Sequence, residues 1–187
     1  DDANHGKINW ASNVRDFLFS LGMNHIWIDQ NNIDISFDVI KTRIKDQYLQ
    51  KWSADICDCE KLSVYRSIKF DFCLENYFSY INNINILTKL RSGTLKLNVE
   101  VGRFSDIPRE MRLCVCCNMQ CVENEFHFVL VCPAYRAIRI LFLPRYYCSW
   151  PTIFKLSCLL KANSRSLTIK LCNYLKSAWK ARSDIIG

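Results

Sequence analysis

With 187 residues, half of them hydrophobic and including 5 Trp, 8 Tyr and 11 Phe, the chain has apolar surface for at least one sizeable core and reads as globular. It has no run of about 18 uncharged apolar residues, which excludes a membrane-spanning helix, and its Asp1-Asp2 start is the reverse of a secretory signal. The formal charge of +7 is unevenly placed: residues 1–90 are slightly acidic, residues 91–187 strongly basic, and no Asp or Glu occurs from Phe126 to Ser183. Self-repulsion of this kind suits an anionic partner. Without an initiator Met, the chain is read as a piece of a longer polypeptide.

Only 5 Gly and 4 Pro leave little material for hairpins and favour helices on short connections. Trp10, Val14, Phe17, Leu18 and Leu21 recur at helical spacing, and Gly22 suits the residue after a helix end. A second helix is expected over 36–52, with Phe37, Ile40, Ile44 and Tyr48 on one face. Shorter ones follow over 61–69, 74–81 and 84–90, and Arg91-Ser92-Gly93 reads as a stop. The alternation of Leu95, Leu97, Val99 and Val101 with polar residues predicts a strand or extended arm. Pro133 can start a helix over 133–143, Pro151 another over 151–161, and Ser164 can cap a last one reaching about residue 182.

Of 11 cysteines, five fall between positions 114 and 132. In a long chain with no signal this favours metal binding in a reducing compartment over a disulfide framework, which predicts an intracellular protein of cytoplasm and nucleus. The remaining six, Cys57, Cys59, Cys73, Cys148, Cys158 and Cys172, have apolar neighbours and are expected as buried small hydrophobes.

The spacing Cys114-x2-Cys117-x9-His127-x4-Cys132 offers three thiolates and an imidazole, the ligand set of a closed tetrahedral zinc site with no open position for catalysis. Cys116 and Cys121 leave other registers open, because Cys114 with Cys116, or Cys117 with Cys121, can also supply the first pair. The alternative to a metal is a set of buried thiols beside a core histidine. Arg103, Arg109, Arg112, Arg136 and Arg139 flank the cluster, and Lys155, Arg165, Lys176 and Lys180 extend the basic track. Together these are the candidate contacts to nucleic acid. Among the interleaved aromatics, Phe128 and Tyr135 sit at helical spacing and are assigned to the core.

The run from Val99 to Arg103, Ile107-Pro108-Arg109-Glu110-Met111-Arg112-Leu113-Cys114, Val122-Glu123-Asn124-Glu125-Phe126-His127-Phe128 and Cys132-Pro133-Ala134-Tyr135-Arg136 resembles the C-terminal region of reverse transcriptases of animal LINE-like (non-LTR) retrotransposons. Upstream pieces are similar too, among them 46–52, Leu62 with Tyr65 and Lys69, and Leu90-Arg91-Ser92, so the resemblance covers nearly the whole chain. It implies a tail after the polymerase domain of the same polypeptide, contacting template RNA or target DNA, with zinc on Cys114, Cys117, His127 and Cys132. The Tyr/Phe-x-Asp-Asp turn that binds catalytic magnesium in that family has no counterpart.

The expected fold is therefore mainly α: a helical region over 1–93, then over 94–187 a small Cys/Cys/His/Cys zinc knuckle with basic C-terminal helices. No catalysis is expected, since the chain has no Gly-rich phosphate loop and His127 is better placed on metal. The competing reading is a zinc-stabilised helical module that docks a protein and touches no nucleic acid.

Overall fold

A computed structural model describes residues 9–29, 37–80, 85–161 and 163–187. The expected helix limits at 36, 81 and 84 lie outside these. The chain forms two compact units, Asp1–Asp55 and Ile56–Gly187, so the division read from the sequence at residue 93 falls within the second.

In the first unit, α1 (Trp10–Ser20) starts with a reciprocal cap. Asn9 Oδ1 accepts the Ser12 N–H at 2.9 Å, and the Asn9 N–H donates to Ser12 Oγ at 2.9 Å. This pairing satisfies two donors that a helix start otherwise leaves open. The helix stops where Gly22 takes φ +69°, a conformation that costs glycine nothing. Leu18 and Leu21 then pack on Met23 and on Ile26 of the short α2 (Asn24–Ile28). The long α3 (Phe37–Asp58) follows, and of its expected apolar face only Ile40 joins that small core, whereas Phe37, Ile44 and Tyr48 remain exposed.

The second unit builds its core from α4 (Ser63–Ile68), α5 (Asn85–Arg91), α6 (Asn98–Phe104), α7 (Arg136–Phe142), α8 (Arg145–Cys148), α9 (Ile153–Leu160) and α10 (Arg165–Ile186). Leu171, Leu175 and Ala178 recur along one face of α10, which packs on α5 and α7, while α4 packs on α9. Among the described residues there is no strand, only an isolated antiparallel bridge between Leu113 and Val122. The fold is mainly α, with the Cys/His segment set between the α6 region and the C-terminal helices.

The strand or arm expected near 95–101 is corrected. Leu95, Leu97 and Val99 are buried as alternation requires, but the chain turns helical at Asn98. Among the described residues no second extended segment is at hand to complete a ladder, and the helical turn lets Glu100 meet both Lys61 (2.7 Å) and Arg103 (2.9 Å). Gly102 on this helix lies against the Arg112 side chain, where an added Cβ would approach Cγ to 2.7 Å.

The stop at Arg91-Ser92-Gly93 has a physical basis beyond the glycine. Arg91 is buried, donating from Nη1 to the Leu160 carbonyl (2.6 Å) and from Nη2 to Glu75 (2.7 Å), with its guanidinium over the Tyr77 ring. Burial of the six scattered cysteines holds only for Cys172. Cys57 and Cys73 are exposed, and Cys59, Cys148 and Cys158 are partly so.

Candidate metal centre and basic groove

Two local devices bring the four ligands together. Around the Leu113–Val122 bridge, the Cys114 N–H donates to the Cys121 carbonyl (2.8 Å) and the Glu123 N–H to the Arg112 carbonyl (2.9 Å), folding 114–121 into a tight loop. This loop carries Cys114 and Cys117. The second device is a π turn over His127–Val131, closed by the Cys132 N–H on the His127 carbonyl at 2.7 Å. In an α-helix, residues five apart point about 140° away from each other. The wider i→i+5 turn brings His127 and Cys132 back to one side, which is what an H-x4-C spacing needs to reach one point.

The ligand atoms of Cys114, Cys117, His127 and Cys132 all lie within 4.8 Å of one another. Cys114 Sγ and Cys132 Sγ are 3.9 Å apart, and Cys117 Sγ is 3.4 Å from His127 Nε2. A tetrahedron with ligand bonds typical of zinc has edges of about 3.8 Å between sulfurs and about 3.5 Å between sulfur and nitrogen. These two edges fit. Cys114, His127 and Cys132 are buried, and His127 Nδ1 is a buried polar atom with no hydrogen-bond partner among the described residues. The hydrogen bond with Cys132, together with burial, pushes the Cys114 thiol up to about 12. Thiols and an imidazole gathered this closely suit a cation, and the four residues can hold a metal ion.

The alternative registers fare differently. Cys114, Cys116 and Glu123 also converge, but both Glu123 oxygens are occupied: Arg182 donates to them at 2.7 and 2.8 Å, and the Asn98 N–H adds a bond at 2.8 Å. Cys121 belongs to neither cluster and its thiol turns to the Met119 carbonyl at 3.3 Å. The four-residue group that lies close enough to bind a metal ion is the one with Cys114 and Cys117.

A π turn leaves carbonyls that regular helix would satisfy, and side chains fill that role. Arg139 donates from Nε to the Val129 carbonyl (2.8 Å) and from Nη2 to that of Cys132 (2.9 Å), and the Tyr174 hydroxyl donates to the Phe128 carbonyl (2.9 Å). The Arg139 expectation is thus corrected. It is buried against the Cys/His segment rather than offered to phosphate, because its guanidinium is spent on the Val129 and Cys132 carbonyls, the second of which also accepts the Tyr135 N–H at 3.3 Å. Arg112 is half-buried and donates to the carbonyls of Ile107 and Val99, both at 2.8 Å, which makes it a strut as well. Lys155 is also engaged, with its ammonium on the Ser149 carbonyl and over the Tyr146 ring.

The remaining predicted cations lie on the surface. Arg103 pairs with Glu100, and Arg109 and Arg136 are exposed. On α10, Arg165, Lys176 and Lys180 share one exposed stripe opposite its buried face, and none of them makes an ion pair among the described residues. Sequence reading missed the feature next to them. A groove of about 550 Å³ is lined by Lys89, Lys96, Lys176 and Trp179, with no acidic residue in its lining. Lys96 had a legible signal, since it is the polar partner between inward Leu95 and Leu97. Lys89 had none. Phe128 and Tyr135 are buried, in edge-to-face contact at 5.1 Å, as core aromatics.

Among the described residues, no helix is long and apolar enough to cross a membrane. No family model, curated protein or solved structure matches this chain.

Proposed function

We propose that the chain is a non-catalytic nucleic-acid-binding segment whose fold around 109–140 depends on one structural zinc ion held by Cys114, Cys117, His127 and Cys132. Three thiolates with one imidazole, two of whose separations match a zinc tetrahedron, favour zinc, and a four-ligand shell leaves no position for substrate. The observation that carries the binding role is the groove where Lys89, Lys96 and Lys176 converge without an acid, continued by Arg165 and Lys180 along α10. Exposed cations with no acidic neighbour release counterions when they meet a phosphate backbone. The resemblance to the C-terminal region of LINE-like reverse transcriptases agrees with this reading. In that setting the partners are template RNA or target DNA, and the polymerase domain of the same polypeptide.

The test is affinity of the zinc-loaded chain for RNA and DNA across a salt series. Replacing Lys96 and Lys176 by Ala should weaken every nucleic acid alike and lower the slope of log affinity on log salt by about 1.4–1.8. An affinity indifferent to salt and to both substitutions would favour the protein-docking module instead. Exposed Ile140 and Leu141 on α7 are the observation on that side.

A further inference from the structure

The link between α8 and α9 holds a residue in a conformation its type avoids. Trp150 has φ +50°, in the left-handed region that favours glycine, and it directly precedes Pro151, whose ring restricts that backbone further. Folding gains nothing from the indole, because Trp150 is 88% exposed. Tyr146 (57% exposed) and Phe154 (68% exposed) stand four residues to either side of it. Lys155 fixes the corner, with its ammonium 4.6 Å from the Tyr146 ring centre and bonded to the Ser149 carbonyl just before Trp150.

Below the corner lies a cavity of about 560 Å³, which Pro151 shares with Leu130, Ile140 and Leu143. Its charged lining is Arg136, Arg139 and Arg145, and no acid contributes. Strain that displays a large ring to solvent, among other open rings and cations, calls for a ligand that supplies flat faces and negative charge together.

We propose that Trp150, supported by Tyr146 and Phe154, is a stacking site for unpaired bases, with Arg136 and Arg145 on the adjoining phosphates. The ligand class is single-stranded nucleic acid, since a base inside a duplex has no free face to offer. This rests on the nucleic-acid reading above but uses a different part of the second unit from the lysine groove. It also separates the two forces: the groove attracts by charge, and the corner selects unpaired strands by stacking.

The experiment measures binding of labelled oligo(U), oligo(dT) and a duplex of equal length to the zinc-loaded chain and to Trp150→Ala and Trp150→Phe, each across salt. Trp150→Ala should weaken both single strands about tenfold, leave the duplex and all salt slopes unchanged, and unfold no earlier than the parent. Trp150→Phe should restore most of the loss. Equal weakening of duplex and single strands, or none, would overturn the stacking site while salt-dependent binding through Lys96 and Lys176 kept the wider reading intact. No binding at low salt would overturn both. Self-association that Trp150→Ala abolishes, with oligonucleotide affinity unchanged, would instead assign the corner to a second copy of the chain.

Discussion

Leu18, Leu21, Met23 and Ile26 form the small apolar core of the first unit, and α3 runs on beyond it with most of its large side chains in water. In the second unit, Arg91, Glu100, Glu123, His127, Arg139 and Arg182 lie buried among the apolar residues. An apolar core degrades by degrees as its side chains are trimmed. A buried charge or an open carbonyl tolerates almost one arrangement of partners, so a core containing several is specified by its matches and fails when one is removed. The difference places the most demanding matches at the Cys/His segment and the helices that satisfy it.

The largest expected effect follows from the proposed zinc ion. Cys132→Ser, or a strong chelator, should remove the ion and abolish protection of 109–140 from hydrogen exchange, while the exchange pattern of α1 stays as it was. Metal analysis and exchange mass spectrometry check both halves. Cys121→Ser should keep the ion, and its loss there would break the ligand assignment. Each thiol must surrender a proton to bind, and Cys114 holds its proton up to about 12. Affinity for zinc should therefore rise with pH and fall steeply on acidification, as competition titrations at several pH values would show.

Next in size is the buried pair of Glu123 and Arg182. Arg182→Met leaves a buried carboxylate without its partner and should cost about 3–5 kcal/mol in denaturant unfolding. Because Glu123 lies nine residues after Cys114, zinc retention should weaken too. A change below about 1 kcal/mol would mean that water reaches Glu123 and that the contrast between the two cores is overstated.

Arg139 and Arg136 sharpen the comparison within one helix. Arg139→Ala should lower stability by about 1–3 kcal/mol by exposing the Val129 and Cys132 carbonyls, and leave the salt slope alone. Arg136→Ala should leave stability alone and lower the slope by about 0.7–0.9. Thermal melts beside salt titrations separate the two roles, and exchanged outcomes would reverse the assignment.

The same pair shows what the sequence carries and what it hides. Charge counting treats ten cations in an acid-free stretch as equivalents, although the register of α10 already pointed one of them inward: Leu171, Leu175, Ala178 and Arg182 lie on a single stripe. Helices α1 and α10 were legible because their apolar period is long and their ends carry Gly22 and Ser164. The ligand spacing was legible because each chelating pair is local. Helix α6 was not, since an alternation of seven residues fits a short helix with a buried approach as well as a strand, and only a pairing partner decides between them. The place of Arg139 depends on carbonyls freed by a π turn, and no local pattern announces that turn.

The smallest effect belongs to the first unit. Asn9→Ala removes one reciprocal cap and should cost about 1 kcal/mol, seen as earlier fraying of α1 with no change in zinc content. Any loss of metal would show that the two units are coupled.

The bonds that close the Cys/His segment reach far along the chain: Tyr174 to Phe128 spans 46 residues, and Arg182 to Glu123 spans 59. In the order of synthesis, all four Cys/His side chains are made before α10 begins at Arg165. A cation can meet the thiols then, but the π turn still lacks the Tyr174 hydroxyl and Glu123 still lacks its guanidinium. Without α10 the site should therefore be loose and reversible, and a chain truncated before Arg165 should surrender zinc to a chelator that the chain with α10 resists.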